Sequence, residues 1–141
     1  MTLARFKGPL ATVSADDTVM KAARTMRDRH VGCVVVMRHG RAAGIVTDRD
    51  LVVRVVADGR DPSNAAVGEF VSYDPVTVQA HEGIETAVER MRAHGVRRLP
   101  VVEDGVPVGI VTADDLFVLL GGQLAGVCEA IANRCDADES R

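Results

Sequence analysis

Two short stretches of the chain carry residue types that could hold a charged or hydroxylated ligand. They are Thr47-Asp48-Arg49-Asp50 and Thr112-Ala113-Asp114-Asp115. In each, a threonine stands three places ahead of an aspartate and directly follows an apolar run, Gly44-Ile45-Val46 or Gly109-Ile110-Val111. The spacing has a purely structural use, because Thr-x-x-acidic at a helix start is a capping box. The two glycines likewise have a plain use, a close strand crossing. The same atoms also have a chemical use. Unpaired backbone N–H groups at a helix N-terminus favour an anion such as phosphate. A carboxylate can accept both hydroxyls of a ribose, and the threonine hydroxyl can serve the same sugar or its phosphate. Two copies of the motif therefore make two candidate nucleoside clamps.

The elements that must position these residues also come in duplicate. Shifted by 65 places, the sequence aligns with itself without a gap from Leu10 to Val52. Met26-Arg27 falls on Met91-Arg92, Thr12-Val13 on Thr77-Val78, Gly40 on Gly105 and Asp50-Leu51 on Asp115-Leu116. A period this long describes two copies of one small fold, joined by the turn-rich linker 58–64. Each copy reads as strand, helix, strand, strand, helix. The strands are expected at 10–13, 31–37 and 42–46, and again at 76–78, 98–102 and 106–111. Val19, Ala22, Ala23 and Met26, and then Ile84, Ala87, Val88 and Met91, trace the i, i+3, i+4, i+7 face of an amphipathic helix. Ser14 or Asp16 is the expected cap of the first helix. Turns fall at His39-Gly40 and Asp104-Gly105. The helical crossover makes the first two strands of each copy parallel.

The fold class is thus α/β (α+β), with two β-α-β-β-α repeats packed through their sheets about a pseudo-two-fold axis, since a unit of about 60 residues is marginal alone. The expected organisation is repeat one over 1–60, repeat two over 61–122, and a C-terminal helix and tail over 123–141. Only residues 1–8 precede the first strand, so repeat one is expected to lack a full lead-in helix. Gly121-Gly122 is expected to interrupt the last helix. A separate short helix then spans 123–134, with Leu124, Val127, Cys128 and Ile131 on one face, ahead of a frayed tail over 136–141.

Composition narrows the function. Seventeen basic and twenty acidic residues give a net charge of −3, which argues against a nucleic-acid binder with a large basic face. The aromatics are Phe6, Phe70, Tyr73 and Phe117, too few for a base-stacking platform. No apolar run approaches the roughly 18 residues of a membrane span, and the first residues lack the apolar stretch of a signal peptide. Three cysteines without paired spacing agree with a reducing compartment, so a cytoplasmic location is expected, with no membrane or nucleic-acid partner.

The duplicated segments resemble tandem CBS domains, the pair called a Bateman module. The resemblance rests on Gly44-Ile-Val-Thr-Asp-Arg-Asp50, Gly109-Ile-Val-Thr-Ala-Asp-Asp115, Val96-Arg-Arg-Leu-Pro-Val-Val102, and Val67-Gly-Glu-Phe70 ahead of Asp74-Pro-Val-Thr-Val78. It covers the chain from about Leu10 to Leu120. It implies regulation rather than catalysis, with AMP, ADP, ATP or S-adenosyl methionine bound between the repeats and a homodimer of pairs. Carried over, it implies that Asp50 and Asp115 hold ribose hydroxyls and that Thr47 and Thr112 support sugar or phosphate. Ile45 and Ile110 would line the adenine slot, and Arg97 and Arg98 would reach phosphate. The repeats differ where this matters. Gly32-Cys33 stands where repeat two has Arg97-Arg98, and Arg49 stands where repeat two has Asp114. Arg49 is therefore expected to favour an anionic ligand beside Asp50, and the two sites are expected to be unequal.

Three functions compete at this point. One is a stand-alone sensor of an adenosyl ligand that signals to a partner protein. The second is a ligand-free dimerisation scaffold. The third is a small enzyme using cysteine or histidine, for which no spacing gives positive support; no catalytic residue and no metal site are assigned. Cys33, in an apolar strand, reads as a small buried hydrophobe. His30, His39, His81 and His94 fall near helix ends or turns, where histidines are usually solvated.

Overall fold

The structure is a computed structural model. It describes residues 1–71 and 75–139, with side chains to 134. Tyr73 and Asp74, quoted above, and the last two residues of the tail lie outside the described residues. The chain forms two compact units, Met1–Val111 and Thr112–Arg141.

The first unit holds two three-stranded sheets of the same construction. In the first, β1 (Thr12–Ser14) runs parallel to β2 (Cys33–Arg38), which pairs antiparallel with β3 (Arg41–Thr47). In the second, β4 (Val78–Gln79) runs parallel to β5 (Arg98–Glu103), which neighbours β6 (Val106–Thr112). The crossovers are α1 (Val19–Arg29) and α3 (Ile84–His94). This is the expected strand-helix-strand-strand-helix order, twice. Both hairpins close on a residue pair at positive φ, His39-Gly40 and Asp104-Gly105, as a two-residue hairpin turn demands.

The core follows the periodicity. Val19, Ala22 and Met26 of α1 are buried with Val34, Val36 and Val46 of the sheet. Ile84, Ala87 and Met91 repeat the pattern on α3, although Val88 on the same expected face stays exposed. The two sheets meet where β3 lies against β5.

Several expectations are corrected. Neither Ser14 nor Asp16 caps α1. Thr18 does, its Oγ1 accepting the Lys21 N–H at 3.1 Å. The carboxylate of Asp17 instead accepts the Ser14 N–H at 2.8 Å, which closes the turn between β1 and α1. Glu82 does the same for Gln79 in repeat two, at 2.7 Å. Repeat one also has a lead-in, the 3-10 turn Leu3–Phe6, which matches Val67–Phe70 at a spacing of 64 rather than 65. Each lead-in is bonded to the other repeat. Leu3 N–H donates to Glu82 O and Gly8 N–H to Val108 O, whereas Val67 N–H donates to Asp17 O and Gly68 N–H to Ala15 O.

The second unit is α4 (Ala113–Glu139), 27 residues long and unbroken at Gly121-Gly122. The separate short helix of 123–134 is therefore part of one long helix, which also takes in the expected frayed tail as far as Glu139. Leu116 is buried, while Phe117, Leu124, Val127 and Ile131 are exposed. By length and composition alone, 22 residues of this helix, Ala113–Arg134, are long and apolar enough to cross a membrane. No uninterrupted apolar run marks it in the sequence, because Gly121, Gly122, Gln123, Gly126 and Glu129 break the stretch.

Candidate functional site

The Thr47 and Asp50 pair is built by the end of β3. Thr47 leaves the strand with extended backbone and caps the short helix α2 (Asp48–Leu51), which continues as a π-helical turn, Val52–Val56. Asp50 N–H donates to Thr47 Oγ1 at 3.1 Å, and Thr47 N–H donates to Asp50 Oδ2 at 2.8 Å. Thr47 Oγ1 also lies 3.0 Å from Asp50 Oδ2, so the hydroxyl proton is directed to the carboxylate. The capping box is complete and rests on one carboxylate oxygen. Oδ1 makes no hydrogen bond among the described residues. The geometry therefore keeps the structural role and leaves an acceptor for a hydroxyl.

In the second unit, Thr112 and Asp115 form the same reciprocal pair. Thr112 N–H donates to Asp115 Oδ2 and Asp115 N–H to Thr112 Oγ1, both at 3.1 Å. Ile110 is half-buried on β6 of the first unit.

Beside β3 lies a cleft of about 270 Å³. Gly44 and Ile45 form one side, Phe70, Val71, Pro75 and Val76 a second, and Val96, Arg98 and Pro100 of the β5 arm a third. The lining is apolar except for the Arg98 guanidinium, a suitable shape for a flat apolar ring carrying an anionic substituent. Of the expected residues, Ile45 and Arg98 meet here. Thr47, Asp50 and the exposed Arg49 and Arg97 do not line the cleft.

Cys33 connects the cleft to the capping turn. It pairs with Thr47 across the β2–β3 ladder, and its thiol feels both the Arg98 guanidinium and the Asp48 carboxylate. Burial pushes the thiol above its usual value, Arg98 pulls it down and Asp48 pushes it up. Cys33 is half-buried rather than a core residue. Asp48 N–H also donates to Gly32 O at 2.9 Å, and a Cβ at position 32 would touch the Asp48 carboxylate. Gly32 thus lies directly against the capping turn through Asp48.

The walls of the cleft lie outside the duplicated motif. Phe70 belongs to the lead-in of repeat two, and Arg54 and Arg60 from repeat one stand over its ring at 5.2 and 5.0 Å. Arg54 Nη1 further donates to Phe70 O at 2.9 Å, and Arg60 pairs with Glu69. The available signal was an aromatic at the end of the lead-in, four residues ahead of Asp74-Pro75. A second, larger cleft lined by Arg38, His39 and Arg41 contains none of the expected residues. Among the described residues no group of three or more His, Cys, Asp or Glu could hold a metal ion.

Comparison with known proteins agrees with this architecture. The model of the CBS domain family matches residues 6–57 and 67–122. A CBS domain-containing protein of Bacillus subtilis, YhcV, is 38% identical over 109 residues, 77% of this chain and 77% of that protein. Hypoxic response protein 1 of Mycobacterium tuberculosis is 34% identical over 119 residues, 82% of this chain and 83% of that protein. A crystal structure of Hypoxic Response Protein I, with two coordinated zinc ions, superposes with a TM-score of 0.74 at 32% identity, over 82% of this chain and 96% of that one. The CBS domain pair of protein MJ0100, in complex with 5′-methylthioadenosine and S-adenosyl-L-methionine, shares the fold with a TM-score of 0.75 at 23% identity, over 87% of this chain and 98% of that one. The duplicated Gly-Ile-Val-Thr-x-x-Asp, the two sheets built alike and the two matched segments lead to one conclusion: the chain belongs to the CBS domain family and carries two CBS repeats in tandem.

Proposed function

We propose that this chain is a regulatory module that takes an adenine nucleotide (AMP, ADP or ATP), or a related adenosyl ligand such as S-adenosyl methionine, and passes its bound state to a partner protein. The observation that carries the reading is the apolar cleft with a single guanidinium, Arg98, beside a capped turn whose Asp50 keeps one carboxylate oxygen for a ribose hydroxyl. Ile45, Val76 and Pro100 have the apolar surface an adenine needs, Arg98 the charge a phosphate needs, and Thr47 carries a hydroxyl two residues beyond Ile45. The adenosyl ligands of the MJ0100 pair support the chemical class. In this reading Ile110, Thr112 and Asp115 serve a second, less anionic position, Arg49 and Arg97 add positive charge near phosphate, and the chain works as a cytoplasmic homodimer without catalysis.

The test is a ligand panel. Thermal unfolding with AMP, ATP and S-adenosyl methionine should raise the midpoint, because a ligand at a hundredfold excess over Kd stabilises by about 2.7 kcal/mol. No shift with any of them, and no heat in titration calorimetry, leaves a ligand-free dimerisation scaffold as the function.

A further inference from the structure

The family match ends at residue 122, but α4 continues as helix to Glu139. The extension carries an ordered pattern. Phe117, Leu120, Leu124, Val127 and Ile131 recur at alternating steps of three and four, the heptad a and d spacing of a coiled-coil seam, with Arg134 at the next d position. All five apolar side chains lie in the open, 46% to 81% exposed. The flanking e and g places between them hold Gly121, Gln123, Cys128 and Ala130. None is charged, and three are small enough to let another helix approach closely. Three glycines, at 121, 122 and 126, weaken the intrinsic helix, so its order must come from packing.

We propose that this seam pairs with the same seam of a second copy of the chain, antiparallel. Charge selects the direction. Parallel pairing sets Arg134 against Arg134 of the partner copy. Antiparallel pairing sets Arg134 against Phe117 of the partner copy, Leu120 against Ile131, and Leu124 against Val127, which replaces a like-charge layer by a cation–π layer. It also opposes the two helix dipoles favourably. The occupant is a copy rather than a lipid bilayer. A spanning helix is apolar all round, whereas the face opposite the seam carries Asp115, Gly122 and Glu129. The pairing deepens the homodimer reading by naming its surface.

The experiment is light scattering and sedimentation of the full chain, with and without vesicles of phosphatidylglycerol and phosphatidylcholine. The wild type should associate without vesicles. Leu124→Asp with Ile131→Asp should weaken that association by about a hundredfold or more, since two charges enter the seam. Val118→Asp, equally exposed but off the seam, should leave it unchanged. With Cys128 and Cys135 replaced by serine, Phe117→Cys combined with Arg134→Cys should form an intermolecular disulfide, whereas Phe117→Cys alone should not. Antiparallel pairing holds the two 117 positions about 25 Å apart, at 1.5 Å per residue. Unchanged association of the seam double variant overturns the pairing while leaving a homodimer standing. A monomeric wild type overturns both, binding to vesicles alone overturns the pairing, and a disulfide from Phe117→Cys alone does so too.

Discussion

Arg54 and Phe70 are joined twice: the guanidinium donates to the Phe70 carbonyl at 2.9 Å and stands 5.2 Å from the centroid of its ring. Arg54 belongs to the π-helical turn that continues from the Thr47–Asp50 cap, and Phe70 is a wall of the cleft. The helix that carries Asp50 and the segment that walls the cleft are therefore joined directly. Whatever tilts that helix on binding is felt at Phe70 and in the segment leading into repeat two.

Replacing Arg54 by alanine should loosen this link. A partly exposed charge-assisted hydrogen bond and a cation–π contact together contribute about 1–2 kcal/mol. The melting midpoint should fall by a few degrees. Affinity for AMP should fall as well, since the Phe70 wall is no longer held. Arg54→Lys should recover only part of the loss, because lysine lacks the planar fork. Calorimetric unfolding and titration on the same samples check both effects.

Gly109 should tolerate no side chain. A Cβ there would lie 2.0 Å from the Phe6 carbonyl oxygen, a backbone atom that cannot step aside. Gly109→Ala should cost about 1–3 kcal/mol by overpacking. It should also free the N-terminal segment, which bridges to Gly109 through Lys7. Limited proteolysis should then cut within the first eight residues faster than in the wild type, and an unchanged cleavage pattern would refute this.

Asp50 has two roles that substitution can separate. Asp50→Ala removes the capping box and the hydroxyl acceptor together, at a stability cost of about 1 kcal/mol. Asp50→Asn keeps an oxygen for the cap and loses the charge. Both should weaken AMP binding by about tenfold or more, while Asp115→Ala should weaken it less, because Arg98 lines the cleft beside β3. Calorimetric titration of the three variants decides it, and a larger loss for Asp115→Ala reverses the assignment of the two sites.

Acid should unfold the protein partly through two equivalent turns. The Ser14 N–H, helped by Lys21 and opposed by burial, holds the Asp17 carboxyl below its ordinary value of 3.8. Burial works against Glu82, but the Gln79 N–H and the bidentate Arg90 guanidinium hold it below its ordinary 4.5. A carboxyl depressed in the folded state gives stability that is fully present above its unfolded value and is lost as pH falls through the folded one. Stability should thus be flat above about pH 5 and decline steadily below about pH 4. The double variant Asp17→Asn with Glu82→Gln should be less stable at neutral pH and show a shallower decline in acid, measured by denaturant midpoints across pH.

The local grammar of the fold was legible in the sequence, and its long-range contacts were not. The offset of 65 located both sheets, both crossover helices and both capping turns, because periodicity and Thr-x-x-Asp are properties of neighbouring residues. The lead-in Leu3–Phe6 escaped because it matches Val67–Phe70 at 64, one place out of register. Thr18 was overlooked as the cap because Ser14 and Asp16 are equally good cap types and only the chain path chooses among them. Of the candidate site, Ile45 and Arg98 meet in the cleft. Its remaining walls, Phe70, Val71, Pro75, Val76, Val96 and Pro100, are brought there by tertiary packing that no spacing announces. The glycines at 121 and 122 predicted a break because propensity counts a glycine wherever it stands, whereas α4 runs through both.

The crossed lead-ins set an order of events during synthesis. Repeat one gains the segment that bonds Asp17 and Ala15 as soon as Val67 and Gly68 leave the ribosome, so it can close early. Its own first residues have no seat then. The partners of Leu3 and Gly8, Glu82 and Val108, are made some eighty to a hundred residues later. Leu3 thus gains its partner before α3 is made, and Gly8 only with β6. β6, the last strand of the first unit, is the one that ties down Gly8, and a contact across so long a loop is of the kind that slows folding.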